Sequence, residues 1–65
     1  MATKQVDKVI TEYVIHHIRC TKMELESPSD ACFRVLAYVH ALRDVNLINQ
    51  SELNNYYHML TDKIF

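Results

Sequence analysis

Glycine and tryptophan are absent from this chain, and proline occurs once, at Pro28. A small β fold needs several tight turns, and such turns usually need glycine at positive φ. Its absence, together with long unbroken periodic segments, points to helices. Glycine-rich phosphate-binding loops are excluded on the same ground. No apolar run approaches the length of a membrane span. The opening residues, Met1 to Asp7, are polar and lead into no apolar stretch of the kind a secretory leader carries. Neither sign of charge dominates: seven Lys and Arg stand against eight Asp and Glu, a formal charge of −1. Residues 1–22 carry Lys4, Lys8, Arg19 and Lys22 against Asp7 and Glu12. A surplus of two is thin for gripping a nucleic-acid backbone, and a solvated helix face accounts for it.

What remains is 65 residues, 49% apolar and 23% charged, the balance of one ordinary globular domain over 1–65. A domain this short buries only about 60% of the surface its unfolded chain exposes, so a disulfide, a metal or oligomerisation usually supports it. There are two cysteines, Cys20 and Cys32. A cytoplasmic location with reduced thiols is the expectation, although a hairpin would bring the two to similar levels.

Three helices are expected, over about 4–24, 28–45 and 50–64. In the first, 100° steps place Val6, Val9, Ile10, Tyr13, Val14, His17, Ile18, Cys20 and Leu25 on one side. That arc spans about 180°, wider than one partner helix covers. Ser27 and Pro28 suit the N-cap and first position of the second helix, with Asp30 favouring its positive end. Ala31, Val35, Tyr38, Leu42 and Val45 follow at spacings of 4, 3, 4 and 3, a coiled-coil-like seam. Phe33, Leu36, Ala37, His40 and Ala41 make a second, mostly apolar surface, so this helix is expected to be buried nearly all round. Asn46 is the expected left-handed stop, with Leu47 folding back on Leu42. Asn49 and Glu52 form a capping box, and Ile48 and Leu53 a hydrophobic staple.

The string from Leu42 to Leu53, with Leu60 later, resembles the short C-terminal helical domain family often called SHOCT. That pattern reads leucine-arginine-aspartate, glycine, two aliphatics, a Thr cap, acidic residues, then an aromatic. Asn46 stands here for its glycine, Asn49 for its Thr and Leu53 for its aromatic. The resemblance covers under half of the chain and implies a module for oligomerisation or docking. A fainter resemblance is to small accessory proteins of temperate bacteriophages.

The candidate chemistry is sparse. His16, Cys20 and Cys32 could approach one another, but a structural zinc site needs four ligands and none other is in reach, His40 lying nearer the level of Tyr13. Cys20 or Cys32 with His17 could be drawn as a nucleophile and base, yet so short a chain has little volume for a pocket. No cofactor, metal or catalysis is expected. His17, inside the apolar arc, reads as a buried, hydrogen-bonded histidine; at a self-interface its protonation would weaken association. A helix-turn-helix reader of nucleic acid is the alternative, with Gln50, Asn54, Asn55 and Lys63 on the third helix, but its phosphate grip is poor.

The resulting expectation is an all-α, non-catalytic regulatory or adaptor protein. Its antiparallel hairpin and short third helix would pack as a homodimeric bundle and bind a further protein partner. Val6, Ile10, Tyr13, Phe33, Val35, Tyr38, Leu42 and Val45 are the expected self-association residues. Tyr56 and Tyr57 are the expected partner contacts.

Overall fold

The computed structural model describes residues 3–65 and is all-helical; Met1 and Ala2, the first residues of the expected domain, lie outside the described residues. The order is α1 (Lys4–Lys22), α2 (Pro28–Asp44) and α3 (Gln50–Ile64). Thr3 caps α1 by accepting from the Val6 N–H at 3.1 Å. Ser27 does the same for α2, accepting from Asp30 N–H at 3.1 Å, with Pro28 in the first turn where its missing donor has no bond to make. Asn49 and Glu52 cap α3 reciprocally, at 2.8 and 2.9 Å.

α1 and α2 end in the same way. Glu24 and Asn46 adopt left-handed backbone, with φ of 60° and 63°. After each, the next N–H reaches back to the third-last helical carbonyl: Leu25 to Cys20 at 2.9 Å, and Leu47 to Leu42 at 3.0 Å. Both stops therefore satisfy carbonyls that a helix end would otherwise leave free. Asn46 is where it was expected. Glu24 is not: the expected first helix ran to residue 24, whereas this residue turns the chain and the helix closes at Lys22.

The short connection makes α1 and α2 an antiparallel hairpin. Tyr13 stacks on Tyr38, ring centroids 4.1 Å apart, each ring well back from the turn. α3 packs on both helices. Ile10, Val14 and Ile18 of α1, Ala31, Val35 and Val39 of α2, and Leu53, Tyr56 and Leu60 of α3 form one core, with Ile48 beneath the entry to α3. The pair expected to staple α3, Ile48 and Leu53, is buried in it.

The chain exposes 4490 Å². Size scaling gives about 4300 Å² for a folded monomer of this mass, so the three helices bury as much of one another as an ordinary small domain does. Within one chain, α2 is covered on one face only. Ala31, Val35 and Val39 face inward, whereas Ala37 and Ala41 are exposed and Phe33 and Val45 are 75% and 63% exposed. One face of α2 has a core and the opposite face has solvent.

Candidate functional site: an apolar face of the hairpin

An uncovered, mostly apolar groove of about 230 Å³ lies between α1 and α2. Gln5, Val6 and Val9 form the α1 side, Tyr38 and Leu42 the α2 side, and Leu47 of the second turn closes one end. Ile10, with no exposed surface, is the floor. α3 contributes no wall, so the groove opens on the side of the hairpin that the third helix leaves free. The left-handed stop at Asn46 positions Leu47, because the return of its N–H to Leu42 brings these two leucines together at the end of the groove. Val9 and Leu47 stay substantially exposed within it, and Val45, between Leu42 and Leu47 in the chain, is exposed as well.

Of the residues expected to mediate self-association, Val6, Ile10, Tyr38 and Leu42 meet in this groove. Tyr13 is stacked against Tyr38, and Phe33 on α2 and Val45 at its C-cap are exposed. Two of the set need correction. Ile10 and Val35 are 0% exposed and hold the monomer together, so neither has surface to offer a second copy. Val39, equally buried, was not among the residues singled out. Its signal was the four-residue line from Ala31 through Val35 to Val39, which the alternating seam through Tyr38 obscured.

Tyr56 is corrected as well. Expected as a partner contact, it is 6% exposed and donates its hydroxyl to the Asp7 carboxylate of α1. Burial, reinforced by Asp7, pushes that hydroxyl above its usual range. Tyr57 is half-buried beside Cys32 of α2, and burial with the Cys32 contact raises it also.

The polar groups at the turn are tied to one another. His17 is buried, and its Nδ1 lies 2.5 Å from Oε1 of Glu26, whose other oxygen lies 3.2 Å from Arg34 Nε. His17 thus faces a carboxylate of its own chain. On α3, Gln50 accepts from Arg43 at 2.5 Å and donates to Asn54 at 3.0 Å. Two of the amides a base-reading helix would present are therefore engaged within the molecule. No helix among the described residues is long and apolar enough to cross a membrane.

Cys20 and Cys32 are both free thiols. His16 Nε2 lies 3.6 Å from Cys20 Sγ, while Cys32 adjoins Tyr57 on α3. Among the described residues no three or more His, Cys, Asp or Glu side chains gather as a metal cage. The groove offers no acid, base or nucleophile beyond the Tyr38 phenol, and its shape suits apolar side chains. Comparison with protein-family models, curated proteins and solved structures gives no match to this chain.

Proposed function

We propose that this protein is a non-catalytic regulatory or adaptor module that works by binding protein surfaces, with a second copy of itself as the first occupant of the hairpin's bare face. The observation that carries the reading is the groove: largely apolar walls in which Val9 and Leu47 stay exposed, and a sealed floor at Ile10, with no α3 residue in its lining. Such a patch leaves apolar area in water that association removes, at about 25 cal/mol per Å² buried. A contact made between identical faces around a two-fold axis repeats each interaction twice, which is why small domains commonly gain stability through homodimers. The resemblance of residues 42–53 to short C-terminal helical domains favours the same class of role.

The test is sedimentation equilibrium of the full chain, with Val45→Glu as the disrupting variant. Val45 is exposed, so the substitution leaves the core intact while placing a charge between Leu42 and Leu47 in the chain. A wild-type dimer that becomes a folded monomer in the variant supports the reading. Leu42→Asp should disrupt both association and fold, since Leu42 also packs against the core. A wild-type chain that stays monomeric at millimolar concentration overturns the self-association.

A further inference from the structure

The flank of α1 that forms one side of the groove continues beyond it. Val9, Tyr13, His16 and Cys20 follow one another at steps of four, three and four, which keeps them along one side of a helix. At the far end of this line an imidazole meets a thiol: His16 Nε2 and Cys20 Sγ are 3.6 Å apart. His16 is exposed and Cys20 half-buried. The His16 ring rests edge-on against His17, centroids 5.2 Å apart, and His17 is itself held by Glu26. The imidazole is thus backed by a fixed side chain.

A separation of 3.6 Å permits a weak S–H to N hydrogen bond. It also has a metrical meaning. Zinc binds imidazole nitrogen at about 2.0–2.1 Å and thiolate sulfur at about 2.3 Å, and a tetrahedral angle between them sets the two donors about 3.5–3.6 Å apart. The pair already spans one edge of a zinc tetrahedron. A closed site needs four ligands and one chain supplies two, a shortfall that a two-fold axis makes good.

We propose that His16 and Cys20 form half of a tetrahedral site for a thiophilic divalent cation of the zinc class, completed by the same pair from a second copy. The inference rests on the reading that a second copy covers this side of the hairpin, and it names what holds the two together. Each Cys20 binds as thiolate and releases its proton to solvent, so one ion displaces two protons.

The test uses the full-length reduced protein with cobalt(II) as the spectroscopic probe and zinc(II) in sedimentation. Cobalt should give a tetrahedral spectrum with sulfur-to-metal charge transfer, saturating at half an equivalent, and zinc should convert monomer to dimer, reversed by a chelator. Cys20→Ser should abolish the charge-transfer band, Cys32→Ser should leave it, and His16→Ala should weaken binding about tenfold or more. Far-ultraviolet circular dichroism establishes that each variant is folded. Saturation at a full equivalent with a monomeric mass overturns the shared site, as does a thiolate band that survives Cys20→Ser, or none in the wild type. The two readings fail separately. A metal-free dimer sensitive to Val45→Glu but blind to cobalt removes the metal site and keeps the bare-face dimer. A dimer seen only with zinc, and unaffected by Val45→Glu, does the reverse.

Discussion

Ile10 and Val35, on the inner side of the hairpin, share a core with Leu53, Tyr56 and Leu60 of α3, whereas Val9 and Val45 lie open on the other side. The four are aliphatic residues of comparable size, and each pair draws one member from α1 and one from α2 or its C-cap. Intrinsic hydrophobicity therefore does not distinguish the covered side from the bare one. Position relative to α3 does. A single short helix can cover one side of a hairpin, and the described residues form no fourth element for the other.

The largest effect that tests this contrast comes from removing what α3 contributes. Leu60 is fully buried, and Leu60→Ala should cost about 2–5 kcal/mol, from lost transfer energy plus a residual cavity. Total stability for a chain of this length is about 3–10 kcal/mol, so urea denaturation should show the variant close to unfolding. A loss below about 1 kcal/mol would mean that α3 does not seal the inner side.

Tyr56→Phe is the next test, because the Tyr56 hydroxyl joins α3 to α1 through Asp7. A hydrogen bond to an ionised group contributes about 1.5–3 kcal/mol, and the exposure of Asp7 argues for the lower end. The pH dependence follows from the direction of the shift. The folded hydroxyl is raised by burial and by Asp7 above the unfolded value of about 10. Its contribution is thus complete below that pH and disappears as pH rises through the higher folded value. Stability measured up to pH 12 should fall more steeply in the wild type than in Tyr56→Phe. Parallel curves would show that Tyr56 is not the group responsible. Tyr57, raised in the same direction, should leave a smaller alkaline slope in the variant.

The two turns offer a finer comparison. Both place a residue with a Cβ in the left-handed region, where glycine has no steric penalty. Asn tolerates this backbone better than Glu, through its short polar side chain. Glu24→Gly should therefore raise stability by about 1 kcal/mol, and Asn46→Gly by less, in thermal melts. Equal gains would indicate that the Asn side chain contributes nothing at its stop. The smallest stability effect belongs to the bare side. Val45→Glu should change the unfolding free energy of the monomer by about 0.5 kcal/mol or less. A loss comparable with that of Leu60→Ala would show the two sides to be equally structural.

Much of the fold was legible because its signals are local. Ser27 and Pro28, Asn46, and Asn49 with Glu52 act on backbone groups within five residues, so they can be read from neighbours in the chain. The second and third helices consequently begin where those residues place them. Glu24 was less legible, because Glu is not a residue that announces left-handed backbone. Tyr56 was misread for a different reason. Its partner, Asp7, is 49 residues away, and no pattern on α3 alone distinguishes Tyr56 from Tyr57. Four of the seven groove residues, Val6, Ile10, Tyr38 and Leu42, were among the expected self-association residues, and the fold-back of Leu47 on Leu42 was read from the stop at Asn46; that these meet in one groove was not.

The sequence by itself determined three helices, their caps and the angular position of each apolar side chain about its own axis. Only the tertiary structure decided which of those side chains are core and which are surface. Periodicity specifies a direction from the helix axis and contains no information on where the neighbouring helices lie. The 180° apolar arc of α1 is common to Ile10, now sealed, and Val9, now exposed at the groove. The placement of α3 separates them, through packing that connects residues far apart in the chain.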